Sequence, residues 1–169
     1  MKKRVMIVGA TQSGKSTLAN VLNDATRPLK KTQDVIYGKN TIDTPGSYIE
    51  NTSMYKYLIA TAQTASHVLI LVDQSRPTEV YPPGFAKIFT CPVVGVITKT
   101  DLAPQNANLV SKQLKRIGVL EPYFRISLKD NIDLAVLKNY LIGKQDSLEK
   151  IEILHIDNDL HLASGNKSV

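Results

Sequence analysis

Apolar and polar positions along the chain fall into two alternating rhythms. Short runs at 4–8 (RVMIV), 67–73 (HVLILVD), 92–98 (PVVGVIT) and 123–127 (YFRIS) are β-branched, nearly continuous and bounded by turn residues. Strands buried on both faces of a parallel sheet look like this, because neither face needs polar residues. Between the runs, apolar residues recur at helical spacing. Residues 15–24 carry Leu18, Val21 and Leu22, and 52–65 carry Tyr55, Leu58, Ile59 and Ala62. Residues 105–117 carry Leu109, Val110, Leu114 and Ile117 before Gly118. Residues 131–142 carry Ile132, Leu134, Ala135, Leu137, Leu141 and Ile142, with Asp130 as the cap and Gly143 as the stop. A shorter helix is expected at 83–89, after Pro82-Pro83. Between the first and second helices only 35–37 and 40–42 are left, enough for a very small hairpin turning at Gly38. The alternation predicts a three-layer, doubly wound α/β domain with a mostly parallel sheet over residues 1–145. Residues 146–169 leave the pattern. There "LEKIEILHID" suits one more strand or a helix stub, and "NDLHLASGNKSV" reads as a loose tail.

Composition adds limits. A length of 169 residues, 43% hydrophobic and 21% charged, suits one domain with a sound core. The one cysteine, Cys91, excludes an intramolecular disulfide and is expected to be a buried thiol in a reducing, cytoplasmic setting. The basic start precedes only about five apolar residues, and no run nears the ~20 of a membrane helix, so neither a signal peptide nor a membrane span is expected. The net charge of +6 comes from scattered lysines without interleaved aromatics. That is a solvated surface and not a nucleic-acid stripe, and its mild positive field suits a polyanionic ligand.

The chemistry begins at Gly9. "GATQSGKS" (9–16) fits G-x-x-x-x-G-K-[ST] and lies between an apolar strand and an amphipathic helix. In that setting the N–H groups of Thr11, Gln12, Ser13, Gly14, Lys15 and Ser16 form an anion nest, with Thr17 next along the helix. The helix dipole adds positive character at the same place. Gly9 and Gly14 permit the turn and the close approach. Lys15 would bridge β- and γ-phosphate oxygens, and Ser16 would hold Mg²⁺.

Three further signals follow in order. "DTPG" supplies Asp43 at a strand end, within reach of the metal, and Gly46, whose N–H would meet a γ-phosphate. "TKTD" supplies Thr98, Lys99 and Asp101 at the carboxyl end of a buried strand, where open α/β sheets bind ligands. The Asp101 carboxylate can accept from guanine N1–H and N2–H₂, and the stem of Lys99 can lie across the base. "SLK" supplies Ser127, Leu128 and Lys129 after the next strand, where a backbone amide could contact the base O6.

Phosphate loop, D-x-x-G, T-K-x-D and S-x-K, in this order over roughly residues 4–143, resemble the small GTPases of the Ras- and Era-like class. More narrowly, "GATQSGKSTL", "KTQDVIYGKNTIDTPGSYIEN" and "VVGVITKTDL" resemble the EutP/PduV family of compact P-loop proteins encoded with ethanolamine- and propanediol-utilisation microcompartments. The resemblance implies a P-loop fold with a shortened switch I region and Mg²⁺ with GTP/GDP, or alternatively ATP/ADP. It also implies a cytoplasmic place at microcompartments, with shell proteins as partners. Thr32 is the candidate switch threonine, a metal ligand beside Ser16 and Asp43. Lys15, Thr32 and Gly46 are the residues expected at the reacting phosphate. The chain departs from the class at Ser47, too short to orient water, at Thr98 in place of asparagine, and at Leu128 in place of a small alanine. Arg27, the nearby arginine, is read as structural. Three functions follow from the resemblance: a slow GTPase acting through partners, an ATP-dependent acetate or propionate kinase, and a non-catalytic scaffold docking on the shell.

Overall fold

Neighbouring strands pair through backbone groups, and their apolar runs then stack into one buried sheet. A computed structural model describes residues 3–127, 129 and 133–141 of the chain. Its strands are β1 (Arg4–Gly9), β2 (Ile36–Tyr37), β3 (Thr41–Asp43), β4 (Ala65–Asp73), β5 (Val93–Thr98) and β6 (Phe124–Arg125). They form one sheet in the order β2-β3-β1-β4-β5-β6. Every pair is parallel except β2 with β3. The small hairpin is therefore present: Ile36 faces Asp43, Tyr37 faces Ile42, and the Gly38 N–H donates to the Thr41 carbonyl at 2.8 Å.

The helices are α1 (Lys15–Leu22), α2 (Ser47–Glu50), α3 (Tyr55–Ala62) and α4 (Ala107–Arg116). Alternate residues of a strand point to opposite faces. Met6, Val8, Val68, Ile70 and Val72 thus share one cluster with Leu58 of α3, Val110 and Leu114 of α4, and Phe85. Ile7, Leu69 and Leu71 are equally buried on the other face, the side on which α1 packs along β1 and β3. Each such side chain contributes about 1.5–3 kcal/mol on burial. This rigid centre fixes the ends of β1, β3, β4 and β5, from which the site residues project.

The expected elements differ mainly at their ends. The helix expected at 52–65 starts as a 3₁₀ turn at Thr52–Met54, because the Asn51 side chain accepts from the Ser53 N–H and caps it there. The expected helix at 83–89 is a 3₁₀ turn, Phe85–Ile88, and that at 105–117 opens with another, Pro104–Asn106. Leu109, counted on the apolar face of the latter helix, is exposed. The short helix α2 was not expected. Cys91 is half-buried, and burial pushes its thiol up.

The chain divides into two compact units, 1–134 and 135–169. Residues 133–141 are helical, within the helix expected at 131–142. Leu128, Asp130, Ile132, Ile142 and Gly143 lie outside the described residues, as do the expected boundary at 145 and the whole 146–169 extension.

Candidate functional site

β1 ends at Gly9 and α1 begins at Lys15, so the phosphate loop is five residues of turn between two anchored elements. The Ser13 N–H donates to the Ala10 carbonyl at 3.1 Å and tightens the turn. Gly14 caps α1 with φ 96°, a left-handed conformation that glycine adopts without strain. Gln12 also has positive φ, 66°, a left-handed conformation that is uncommon for a non-glycine residue. The first N–H groups of α1 have no partner within the helix and face the loop.

Lys15 is buried, and its Nζ donates to the Ala10 carbonyl at 2.7 Å. Burial lowers its ammonium to about pKa 8, against the upward pull of the Asp43 and Glu50 carboxylates. A desolvated cation of this kind gains from an arriving anion.

Next to it lies a cluster of oxygens. Ser16 Oγ donates to Asp43 Oδ2 at 2.7 Å, Thr32 Oγ1 donates to the same oxygen at 3.3 Å, and the two hydroxyls are 3.1 Å apart. The three metal ligands expected from the sequence therefore meet, although Thr32 comes from the shortened loop. Burial raises the Asp43 carboxyl, while Ser16, Lys15 and Thr32 oppose the shift. Its Oδ1 is buried without a hydrogen-bond partner. Two hydroxyls and a carboxylate with a spare buried oxygen fit a hard divalent cation such as Mg²⁺.

The D-T-P-G segment is tied down by Thr44, whose hydroxyl donates to the Ile7 carbonyl at 2.7 Å. Gly46 then lies so close to the phosphate loop that a Cβ there would stand 2.5 Å from the Thr11 nitrogen. Only glycine fits this approach. Glu50 Oε1 accepts from the Thr11 N–H at 3.1 Å and from Thr11 Oγ1 at 2.9 Å. Thr11, Lys15, Ser16, Thr17, Thr32 and Gly46 line a cavity of about 380 Å³, joined by Lys30, Lys31 and Lys99. A larger cavity, about 670 Å³, lies under residues 27–38, is lined by Asp43, and shares Ser16 and Thr32 with the smaller one.

On the base side, the buried Thr98 hydroxyl donates to the Ser13 carbonyl at 2.8 Å, tying β5 to the phosphate loop. Lys99 Nζ reaches the Gln12 carbonyl at 3.0 Å and pairs with Asp73 Oδ2 at 2.6 Å. This lays its stem across the loop edge. Asp101 is exposed, with Oδ1 accepting from Ser127 Oγ at 3.0 Å and Lys129 Nζ 3.5 Å from Oδ2. The Ser127 bond foremost holds its carboxyl below the usual range. The carboxylate is therefore ionised and aimed by its neighbours.

The sequence reading missed Glu50, Asp73, Lys30 and Lys31. Asp73 had one signal, its place as the last residue of a buried parallel strand, at the ligand edge of the sheet. Glu50 and the lysines had none, because only the fold brings them to the loop. Arg27 gives its carbonyl to Asn20 Nδ2 at 2.8 Å, and its side chain lines the larger cavity.

A family model, PduV-EutP, described as ethanolamine utilisation – propanediol utilisation, matches residues 2–143. The propanediol utilization protein PduV of Citrobacter freundii is 35% identical over 146 residues, 86% of this chain and 97% of that protein. The protein of Escherichia coli K12 named "Probable acetate kinase EutP" is 31% identical over 155 residues, 90% of this chain and 98% of that one. Among solved structures, Era of Aquifex aeolicus bound to GDP·AlF4⁻ superposes with a TM-score of 0.56 at 25% identity. The match covers 80% of this chain and 55% of that one, so this chain spans about half of Era.

Proposed function

The chain belongs to the PduV–EutP family and carries a P-loop fold of the small-GTPase kind, and from that premise we propose that it is a Mg²⁺-dependent guanine-nucleotide hydrolase of low intrinsic rate. The observation that supports this most is the meeting of Ser16, Thr32 and Asp43 beside the buried Lys15. The magnesium ion, when bound, supplies charge neutralisation at the phosphate oxygens. The chain's own residues do the rest. The amides of Gln12, Gly14, Lys15 and Ser16 receive the β-phosphate, since the Thr11 N–H is held by Glu50 and the Ser13 N–H by the Ala10 carbonyl. Lys15 trades its loop carbonyl for phosphate oxygens, and Gly46 offers an N–H to the γ-phosphate. Asp101, ionised and oriented by Ser127, selects guanine through its two ring donors. Thr98 and Lys99 hold the base edge in register with the phosphate loop.

A second reading, phosphoryl transfer from ATP to a small carboxylic acid, draws support from the name of the 31% identical relative. It also draws on a further cavity of about 380 Å³ beside Thr11, lined by Glu50 and Arg76. The family's association with ethanolamine and propanediol utilisation supports work in the cytoplasm at the microcompartment shell. Among the described residues, no helix is long and apolar enough to cross a membrane.

Titration of the full chain with GTP, GDP, ATP and ADP, with and without Mg²⁺, tests the assignment, followed by phosphate release and acetate-dependent ADP release. GTP preference with slow phosphate release is expected. Equal or tighter ATP binding with acetate-dependent turnover would establish the second reading instead.

A further inference from the structure

Hydrolysis at a γ-phosphate needs a group that orients the attacking water, and Ser47, directly after D-T-P-G, is too short for it. One turn further on, Glu50 accepts from both the Thr11 N–H and the Thr11 hydroxyl. Those two atoms are also the ones a Cβ on Gly46 would strike, at 2.5 and 2.6 Å. Gly46, Thr11 and Glu50 therefore converge at the γ-phosphate end of the cradle. The Glu50 charge also reaches Lys15, whose ammonium it helps to retain. Both bonds use Oε1. Among the described residues, Oε2 takes no hydrogen bond or ion pair, and the residue is exposed. Glu50 lines a cavity of about 380 Å³ with Arg76, and this cavity meets the phosphate cavity at Thr11, Gln12 and Lys99.

We propose that Glu50 orients the nucleophile for the hydrolysis assigned above, and that this nucleophile is water. Oε2 accepts a hydrogen bond from the water. The water oxygen bonds to the γ-phosphorus as the bond to the β–γ bridging oxygen breaks. The electron pair of that bond leaves on the nucleoside diphosphate. One water proton stays on the released phosphate, and the other passes to Glu50 and then to solvent. A carboxylate acceptor would meet a like charge here, so the same residue disfavours transfer to an acid.

The inference rests on the hydrolase reading, and the test separates the two. Wild type, Glu50→Gln, Glu50→Asp and Glu50→Ala are compared by single-turnover GTP hydrolysis, by affinity for a non-hydrolysable analogue and by thermal melting. Glutamine keeps one oxygen acceptor for Thr11, so it preserves the clamp while replacing the charged Oε2 acceptor with an NH₂ donor. Expected is a rate loss of about 10²-fold or more for glutamine and alanine, partial retention for aspartate, and affinity within about twofold of wild type. A Glu50→Gln rate equal to wild type would overturn the role of Glu50 alone. Rate and affinity falling together in that variant would reduce it to a structural tie. Acetate-dependent transfer that rises in Glu50→Gln would show a charge gate on an acid acceptor and overturn the water assignment. A wild type that binds nucleotide but releases no phosphate would overturn the hydrolase reading and this inference with it.

Discussion

Lys15 carries the most consequential single charge in the domain. Burial lowers its ammonium to about pKa 8, although the Asp43 and Glu50 carboxylates pull it upward. The charged form is the one a triphosphate needs. In the free protein it is half-populated at about pH 8, nearly complete a unit below and mostly lost a unit above. Affinity for a triphosphate should therefore be flat from pH 6.5 to 7.5 and fall by up to about tenfold per unit above 8. Calorimetry in two buffers of different ionisation enthalpy checks this, since binding at pH 9 should take up close to one proton. Lys15→Ala should remove both the dependence and about 1.5–3 kcal/mol of binding, a charge-assisted contact. Asp101 makes the complementary test at the base. Its carboxylate is exposed and ionised, so Asp101→Asn replaces one acceptor with a donor. Xanthosine triphosphate, which carries a carbonyl where guanine has an amine, should then gain on GTP in competition. The wild type should prefer guanine over adenine, which offers neither ring donor, by about 10⁴-fold or more. No gain for xanthine in the variant would remove the guanine assignment. At this scale the sequence was legible wherever chemistry demands a residue type at a spacing: Lys15, Ser16, Asp43, Gly46 and Asp101 each stand in a motif. Thr98 was legible as a site residue, but its hydroxyl is spent on the Ser13 carbonyl and positions the loop. Glu50 was illegible because nothing local marks a surface glutamate that tertiary approach sets on Thr11.

Among the elements, the segment between α1 and β3 is the one built to respond. β2 has two residues, both exposed, and pairs only with β3 at the sheet edge. The loop before it reaches the Ser16–Asp43 cluster through the Thr32 hydroxyl at 3.1 and 3.3 Å. A segment with so few ladder bonds opens at low free-energy cost. Hydrogen exchange over residues 26–40 should be fast without nucleotide and slow markedly with Mg²⁺ and a non-hydrolysable triphosphate. Thr32→Ala should abolish that protection while leaving α1 and β1 unchanged. Equal exchange in both states would exclude a switch here. The hairpin could be read from "VIYGKNTI" because Gly38 and the short apolar flanks leave little else. The helix α2 could not. Its four residues are shorter than any period can reveal, and its place follows from Thr44 and Gly46 being pinned to β1 and the phosphate loop.

For the molecule as a whole, the central strands β1, β4 and β5 were legible because parallel sheets need continuous apolar runs. The same architecture makes a global readout of the site possible. The phosphate loop, D-T-P-G and T-K-T-D leave β1, β3 and β5, which are joined through β4 in one sheet. A ligand that bridges these loops binds only the folded chain, so it stabilises by mass action. At a hundred times its dissociation constant the gain is about 2.7 kcal/mol. For a chain of this size that shifts the melting temperature by about 5–10 °C. Mg²⁺ with GTP should give this shift, and chelating the metal should remove most of it, because Asp43 then faces the phosphates as an uncompensated charge. Lys15→Ala, weakened by about 1.5–3 kcal/mol in binding, should lose half or more of the shift at the same nucleotide concentration. Ser16→Ala should keep a reduced shift with GTP that no longer depends on Mg²⁺, since the amide nest and Lys15 remain. A Mg²⁺-dependent shift that survives in Ser16→Ala would place the metal away from the Ser16–Thr32–Asp43 cluster.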